Sequence, residues 1–458
     1  MRIAVAQTPG ATLDEWQQTL ATLADLIAQA GAAGADLVVL PECAFPAYWL
    51  GARRAYTAAR AAGLPGPDRF MDFLLQQARS RHIMICAGYV EEQPAGLYNA
   101  AALIDADGQC RGVHRKCFLW DFDHDQFLPG DALAVWDTPL GRIGMMICAD
   151  ARLPEIPATL AARGAQLVLQ PTAWVNAGDA ARPWNPQPDF LISARAREFG
   201  YPLASASKWG VEGNTTFVGS SLICAADGHV AAQCGPTGTG IAVADVTLGA
   251  PRAPQVSDAE RTRLLATTAP RLPRRTLGPL RVVVVPPGMP SAAACPKSPG
   301  SAVSISTDIP TLVITSEAQH SAYPASNERR LVLTGPSAAP LILDDALVGA
   351  LAAKAADHFA PARLLGLAGA GAVVFFGDDV NMAALQTRAC ENRIFTLSAG
   401  HRGGCACDPT GRITCRWDWS SAPGAIQTLT LDLARAADKH VAPRTDMIAG
   451  RQVEHYEF

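Results

Sequence analysis

Short apolar segments alternate with amphipathic helical segments along the first half of the chain, and this alternation constrains the fold more than any other feature. The opening segments read as a strand, a helix and a buried strand: MRIAVAQT, LDEWQQTLATLADLIAQAGAAG and ADLVVLPE. Similar units continue as far as Val246. Interleaved strands and helices of this kind predict an α/β domain built in layers.

The pattern starts again after a stretch rich in Pro and Arg at 247–279. LRVVVVPPG, which begins at Leu280, echoes MRIAVAQTPG, and ARLLGLAGAGAVVFF echoes ATLAARGAQLVLQ. Four further residues of the second half fall opposite residues of the first: Arg388 and Glu391 opposite Arg195 and Glu198, and Glu317 and Tyr323 opposite Glu42 and Tyr48. We therefore predict a tandem duplication, with a complete copy at 1–246, a linker at 247–279 and a shortened copy at 280–458.

Composition favours a well-buried enzyme. Of 458 residues, 49% are hydrophobic and 17% are charged, which argues against extensive disorder. The net charge of −4 gives no broad attraction to nucleic acid or to an anionic membrane. No apolar run approaches the roughly 18 residues of a membrane-spanning helix, and MRIAVAQ lacks the features of a secretory signal, so we expect a cytoplasmic protein.

The cysteines do not form a metal-binding or disulfide pattern. Twelve are scattered along the chain with no CxxC pair, and most are predicted to be small buried apolar residues. Cys405 and Cys407 are the nearest to a metal or disulfide pair, but neither role is favoured.

Three reactive side chains follow apolar runs that resemble strands. Glu42 follows LVVLP, Lys116 follows GVHR, and Cys148 follows GRIGMMI. A sheet can direct such residues into one pocket, where a carboxylate serves as a base, an ammonium group stabilises an oxyanion and a thiol acts as the nucleophile. Cys148 precedes a tight ADARLPE segment, so its sulfur can project at an elbow beside the Ala149 N–H. Taken alone, Cys148 is better interpreted as a buried core cysteine.

Seven ordered motifs decide between these interpretations. They are LVVLPE, HRK-x-x-L, PGD, G-x-x-I-C-x-D-x-R-x-P-E, A-x-x-GA-x-L-x-x-x-PTAW, RA-x-E and G-x-S. Together they resemble the nitrilase, or carbon-nitrogen hydrolase, superfamily over residues 1–246. The resemblance returns at the chain end, in DLARAADKHVAPRTDMIAGRQVEHYEF.

The resemblance implies a fold and a set of roles. Glu42 matches the general base, Lys116 the oxyanion-stabilising lysine, and Cys148 the nucleophile. The implied fold is a four-layer αββα sandwich, and the implied chemistry needs no metal and no cofactor. Because family members pair through the face near the nucleophile's helix, we expect the two copies to form an internal pseudo-dimer. Association into a homo-oligomer is left open.

One departure from the family pattern concerns the lysine. Family members usually carry a second glutamate about eight residues after it, whereas this chain has His124 at that offset, between Asp123 and Asp125. A buried ammonium group needs a carboxylate partner to stay charged. We therefore favour recruitment of Asp123 or Asp125, with a substrate contact from His124 or a weakened site as the alternatives.

Weaker candidates surround these segments. Tyr48, Trp120 and Trp174 could line the pocket, although aromatic residues beside strand ends are more often core residues. Three motif residues of the elbow are better explained as a structural network than as catalytic groups: Asp150, Arg152 and Glu155. The charged run DFDHDQ lacks a convincing set of metal ligands.

The predicted reaction is hydrolysis of a non-peptide C–N bond in a small amide, with release of ammonia or an amine. Nitrile-cleaving members usually have a tryptophan directly after the nucleophile, whereas Ala149 follows Cys148 here. An N-carbamoyl amine or amino-acid hydrolase is the first alternative, and nitrile hydrolysis or acyl transfer is the next. The missing glutamate and the second copy, which has no segment like HRKCFLW and no cysteine in LVGALAAKAAD, also leave a ligand-binding or regulatory pseudoenzyme as an alternative.

Overall fold

The chain divides into two compact units. The computed structural model describes residues 1–51, 53–179, 181–266, 279–285, 311–315, 330–333, 341–343, 346–423 and 425–458. The first unit comprises 1–254 together with 442–445 and 450–458, and the second comprises 255–441 together with 446–449. The last residues of the chain therefore belong to the first unit. The domain boundaries at 246 and 279 stay a prediction.

The first unit alternates strands and helices as the apolar pattern indicates. Its helices are α1 (Trp16–Ala32), α2 (Arg53–Ala61), α3 (Pro67–Arg81), α4 (Asp123–Gln126), α5 (Glu155–Ala162) and α6 (Ile192–Phe199). Its strands are β1 (Arg2–Pro9), β2 (Leu37–Val39), β3 (Met84–Gln93), β4 (Gly96–Ile104), β5 (Cys110–Arg115), β6 (Val135–Thr138), β7 (Gly141–Met145), β8 (Leu167–Pro171), β9 (Leu203–Ala206), β10 (Lys208–Glu212), β11 (Thr215–Val218), β12 (Leu222–Cys224), β13 (Val230–Gln233) and β14 (Gly240–Asp245).

Two mixed sheets organise this unit. Among the described residues, one sheet has the order β11-β10-β1-β2-β3-β4-β5, with β14 also paired to β1, and the other has the order β13-β12-β9-β8-β7-β6. Helices α1 and α3 pack on the first sheet, α6 packs on β9 and β12 of the second, and β1, β2 and β3 contact strands of the second sheet. The predicted α/β class is confirmed, with strands in mixed sheets.

Sheet packing explains why the central strands are apolar on both faces. In β2 all three residues are buried, and in β8 all five are buried. Strands covered on both faces read as continuous apolar runs rather than as alternating ones. A polar residue in such a run, as Gln170 is in LVLQP, therefore needs a partner inside the protein.

The sequence interpretation missed the hairpin formed by β10 and β11. Its residues KWGVEGNTTFV lack an apolar run, and Gly210 and Gly213 adopt positive φ angles of 81° and 58°. The hairpin nevertheless extends the first sheet, since Thr8 and Pro9 of β1 pair with Lys208 and Trp209.

The second unit contains elements of the same kinds. Its helices are α7 (Asp258–Leu264), α8 (Phe359–Leu367), α9 (Met382–Asn392) and α10 (Ala434–Ala437). The strands of the remaining chain are β15 (Pro279–Val285), β16 (Thr311–Thr315), β17 (Arg330–Leu333), β18 (Leu341–Leu343), β19 (Ala346–Ala352), β20 (Ala372–Phe376), β21 (Phe395–Ala399), β22 (Gly403–Cys407), β23 (Ile413–Asp418), β24 (Gln427–Asp432), β25 (His440–Ala442) and β26 (Thr445–Asp446).

The strand orders of the second unit are β17-β16-β15-β24 and β18-β19-β20-β21-β22-β23. In the latter sheet the successive pairings are antiparallel, parallel, parallel, antiparallel and antiparallel. The six-stranded sheet of the first unit has the same sequence of pairings from β6 to β13. Glu317 and Tyr323, the residues opposite Glu42 and Tyr48, lie outside the described residues.

No helix in the described parts of the chain combines the length and the apolar character needed to cross a bilayer.

Candidate active site

Glu42, Lys116 and Cys148 each follow a strand of the first unit. Lys116 directly follows β5, and Glu42 and Cys148 each lie three residues beyond the last residue of β2 and β7. All three side chains are buried. The predicted placement at strand ends therefore brings a carboxylate, an ammonium group and a thiol into the same interior.

Cys148 is held in a strained turn. Its φ angle is +44°, in the left-handed region that a residue with a side chain rarely adopts, and it opens a 3₁₀ helix at Cys148–Arg152. Gln170 Nε2 donates a hydrogen bond to the Cys148 carbonyl at 2.9 Å. The elbow is thus fixed by the polar residue of β8, and Ala149 is fully buried directly after the thiol.

The segment after β8 contacts both Glu42 and Cys148. The Glu42 N–H donates to the Thr172 carbonyl at 3.2 Å, and the Cys148 thiol donates to the Ala173 carbonyl at 3.9 Å. Gly88 lets β3 pass close to the backbone of Glu42, because a Cβ at residue 88 would lie 2.7 Å from the Glu42 Cα. These contacts fix the backbone of the two reacting residues relative to each other.

Lys116 lies between two carboxylates. Its Nζ is 2.7 Å from Glu42 Oε1 and 2.7 Å from Asp123 Oδ2, and it donates to the Tyr48 hydroxyl at 3.2 Å. All three charged side chains are fully buried. Burial by itself would lower the pKa of Lys116, but the charges of Asp123 and Glu42 outweigh it and raise the pKa well above its ordinary value. Lys116 therefore stays an ammonium group.

Of the three candidates in the segment after Lys116, Asp123 reaches the ammonium group. It is the first residue of α4 and also accepts the Trp120 N–H at 2.8 Å. His124 and Asp125 are exposed, and Asp125 pairs with Arg444 instead. The carboxylate that reaches Lys116 thus lies one position before His124, and neighbouring residues of a helical turn point in different directions.

Burial shapes the proton affinities of Glu42 and Cys148. Desolvation raises the pKa of Glu42 above its ordinary value, and the Lys116 charge opposes that shift. Burial raises the pKa of Cys148 to about 12; the Glu42 charge adds to this and the Lys116 charge opposes it. At neutral pH the thiol is protonated, so its activation requires transfer of the proton to a nearby base.

One oxygen of Glu42 is available for that transfer. Oε1 accepts hydrogen bonds from Lys116 Nζ and from Asn99 Nδ2, each at 2.7 Å. Oε2 is buried and has no hydrogen-bond partner among the described residues. Sequence reasoning missed Asn99, although a buried amide in the apolar strand NAAALI is a signal for it.

Of the three aromatic candidates, one contacts Lys116 and two have other partners. Tyr48 belongs to the site through its hydroxyl, and Lys116 Nζ also lies 5.3 Å from its ring centroid. Trp120 is half-buried with its ring 5.0 Å from the Arg152 guanidinium, whereas Trp174 is fully buried and its backbone N–H donates to Ser207 Oγ at 3.3 Å.

The motif residue Asp150 ties the thiol segment to the lysine segment. Its carboxylate accepts the N–H groups of Phe118 and Ile147, both at 2.8 Å, and lies 3.0 Å from His114 Nε2. Of the other two motif residues, Glu155 pairs with the buried Arg451 at 2.9 Å. These are supporting contacts, as the sequence interpretation favours.

Comparison with known proteins identifies the family. The family model of carbon-nitrogen hydrolases matches residues 2–253. The chain belongs to the carbon-nitrogen hydrolase family. This confirms the predicted membership for the first unit.

Related carbon-nitrogen hydrolases include amidases and nitrilases. The chain is 32% identical to an omega-amidase of Xenopus laevis (NIT2-A), over 46% of this chain and 76% of that protein. It is 31% identical to a nitrilase of Pyrococcus abyssi, over 51% of this chain and 85% of that protein. The chain is thus a hydrolase of the amidase and nitrilase type.

Solved structures of related proteins include that of a mutant amidase from Nesterenkonia sp. AN1, with acrylamide added to its active-site cysteine. That chain is 29% identical, with a TM-score of 0.46, and the match covers 54% of this chain and 93% of that one.

Proposed function

We propose that this carbon-nitrogen hydrolase cleaves the C–N bond of a small amide through a thioester on Cys148. The observation that carries the proposal is the Lys116 ammonium group held between the carboxylates of Glu42 and Asp123, beside a buried thiol whose pKa responds to both Glu42 and Lys116. These are the groups that nucleophilic acyl transfer requires.

In the first half of the reaction, Glu42 accepts the thiol proton through its available Oε2 while the sulfur attacks the amide carbon. The carbonyl oxygen becomes an oxyanion, which the Lys116 ammonium group and the Ala149 N–H stabilise. Protonated Glu42 then gives its proton to the leaving nitrogen. The C–N bond breaks, ammonia or an amine leaves, and the acyl group remains on Cys148 as a thioester.

In the second half, Glu42 takes a proton from water as the water oxygen attacks the thioester carbon. A second oxyanion forms and is stabilised by the same two donors. The C–S bond then breaks, the carboxylic acid leaves, and the sulfur recovers its proton from Glu42. Asp123 serves throughout as the second counter-charge of Lys116.

Amides are favoured over nitriles by the residue after the nucleophile. Ala149 is small and fully buried, whereas the resemblance to the nitrilase superfamily implies a tryptophan at that position in members that cleave nitriles. The similarity to an omega-amidase supports the same substrate class.

The test is release of ammonia or amine from a panel of aliphatic amides, N-carbamoyl compounds and nitriles. We expect turnover of an amide by the full chain and none by Cys148→Ala. Cys86→Ala removes another buried thiol, in β3, and should remain active. Intact-mass measurement of acid-quenched enzyme should show the acyl adduct on the wild type and not on Cys148→Ala. Turnover by Cys148→Ala would refute the thioester mechanism, and activity restricted to nitriles or carbamoyl compounds would refute the substrate class.

We also propose that the second unit is a copy of the first that has lost the site. The support is the register in which equivalent strands of the two units pair. Gly144 lies opposite the second residue of β8, and Gly349 lies opposite the second residue of β20. A 3₁₀ helix follows at the same distance in each unit, at Cys148–Arg152 and at Ala353–Asp357. Ala353 thus occupies the position of the nucleophile.

Two further features support the duplication. The ion pair Arg195–Glu198 of α6 recurs as Arg388–Glu391 of α9, with all four side chains buried. The register between the last two strands of the six-stranded sheet also shifts at the same step, next to Cys224 in the first unit and next to Cys407 in the second. On this proposal each chain carries one site, in a four-layer αββα sandwich.

A further inference from the structure

The segment that carries Asp123 is short, and its internal hydrogen bonds join residues three or four apart within one helical turn. Helix α4 is a single turn of four residues, and isolated turns of this length are not stable in water. Asp121 and Asp125 are four positions apart, so their like charges disfavour the turn. Contacts from elsewhere must therefore decide where Asp123 lies relative to Lys116.

Residues close to the chain end supply such contacts from the outer side of α4. Arg444 donates to both carboxylate oxygens of Asp125, at 2.7 and 2.9 Å, and to Asp121 Oδ1 at 3.4 Å. The Asp121 N–H donates to the hydroxyl of the buried Thr445 at 2.7 Å. The Arg444 backbone has a φ angle of +61°, so the turn that presents its side chain is itself strained.

The same part of the chain also supports the far end of the segment. Gln452 Nε2 donates to the Gly130 carbonyl at 3.2 Å, and the Gly130 N–H donates to the Lys116 carbonyl at 2.8 Å. The terminal residues are anchored at the two ends of α5: Arg451 pairs with Glu155 at 2.9 Å, and Glu457 Oε2 accepts from Nε of Arg163, which directly follows the helix, at 3.0 Å. We call residues 442–445 and 450–458 the brace.

We propose that the brace holds Asp123 against Lys116, with Arg444 as a positioning residue for the active site. The bidentate ion pair with Arg444 neutralises the charge of Asp125 on the outer face of α4. The Thr445 hydroxyl holds the backbone of Asp121, two residues before α4. The catalytic unit is therefore complete only when the end of the chain, after the whole second unit, has returned to it. This inference rests on the proposed function of Lys116.

The test compares two variants of the full chain. Arg444→Ala removes the contact with α4, whereas Glu457→Gln removes a brace contact at Arg163 that does not touch α4. We expect faster hydrogen exchange at 120–127 in Arg444→Ala alone, slower alkylation of Cys148 by iodoacetamide, and a loss of about 10-fold or more in kcat, since small displacements of catalytic groups carry penalties of this size. The thermal midpoint should change little, because an exposed ion pair contributes little to stability.

Two further variants separate positioning from folding. Asp125→Asn should reproduce the loss in kcat, and the double variant should be no worse than either single one, because both remove the same contact. Arg444→Lys should restore part of the rate. Unchanged exchange at 120–127 in Arg444→Ala overturns the proposal, and so does faster exchange with wild-type kcat and alkylation. If the wild type releases no ammonia or amine, the proposed function fails, and exchange together with Cys148 alkylation still decides the role of Arg444.

Discussion

At the scale of single residues, the site depends on how Lys116 is kept charged without contact with water. Removing an ammonium group from water costs several kcal/mol unless opposite charges compensate. Here two carboxylates do so, one from the segment after β2 and one from α4. Glu42 is thereby held with one oxygen engaged and the other without a hydrogen-bond partner among the described residues, which suits its proposed role of accepting and returning a proton.

Asp123→Asn should lower kcat on the order of 100-fold, because Lys116 loses one of its two counter-charges and its position as an oxyanion donor. Steady-state kinetics on the amide identified by the panel would measure this. His124→Ala is the matched control, since His124 is adjacent but exposed, and it should retain wild-type kcat. Normal turnover by Asp123→Asn would show that Glu42 alone suffices for Lys116.

Acid should inactivate the enzyme through Glu42. The base must be ionised, and burial raises the pKa of Glu42 above its ordinary value of 4.5. The value of kcat/KM should therefore fall as the pH decreases through a midpoint above 4.5. A pH profile, with recovery of activity on return to neutral pH as the control for unfolding, measures that midpoint. A midpoint below the ordinary value would contradict the assignment.

At the scale of elements, short and irregular pieces place the reactive groups that the regular strands only bring near. One is the 3₁₀ helix that Cys148 opens. Another is the β10–β11 hairpin, whose Glu212 accepts the N–H groups of Tyr48 and Trp49 and pairs with Lys208 at 2.8 Å. The Tyr48 hydroxyl contacts Lys116, so the buried Lys208–Glu212 pair supports the site by holding the backbone of Tyr48.

Glu212→Ala should destabilise the first unit by about 3 kcal/mol, since it leaves the Lys208 ammonium group buried without its partner. It should also raise KM by loosening the turn at Tyr48. Urea unfolding and steady-state kinetics measure the two effects. Asp245→Asn breaks the exposed pair with Arg2 and should leave the urea midpoint unchanged. Equal urea midpoints for the two variants would mean that the buried Lys208–Glu212 pair stabilises the unit no more than the exposed Arg2–Asp245 pair does.

At the scale of the whole molecule, the two units share the order of pairings in their six-stranded sheets, and among the described residues the candidate set of Glu42, Lys116 and Cys148 belongs to the first unit. The second unit has Ala353 at the register position of Cys148, and no stretch of its sequence resembles HRKCFLW. The predicted association of the two copies as an internal pseudo-dimer stays a prediction, as do a cytoplasmic location and any homo-oligomer.

A cysteine restored to the second unit should not create a second site. Ala353→Cys in the Cys148→Ala background should release no ammonia or amine, because a thiol without a lysine and its carboxylates lacks an oxyanion donor. Ala353→Cys alone should keep full turnover, which shows that the substitution is tolerated. Activity in the double variant would reveal a second functional site in the chain.

Much of the site was predictable because its motif residues follow apolar runs. Glu42, Lys116 and Cys148 could be named from the ends of LVVLP, GVHR and GRIGMMI. Asn99, Gln170 and Glu212 could not be assigned roles in the same way, because the site residues that they contact (Glu42, Cys148 and the turn at Tyr48 and Trp49) lie more than 20 positions away from them in the chain.

The sequence by itself determined the family and the α/β class, and it named Glu42, Lys116 and Cys148 as candidates for the site, because apolar periodicity and motif order are local properties. Only the tertiary structure decided that Asp123, and not His124 or Asp125, faces Lys116. It also decided that Arg444 lies against α4. The first outcome depends on how one helical turn is oriented against the sheet, and the second depends on where a segment more than 300 residues away in the chain packs. Neither can be read from a single stretch of residues.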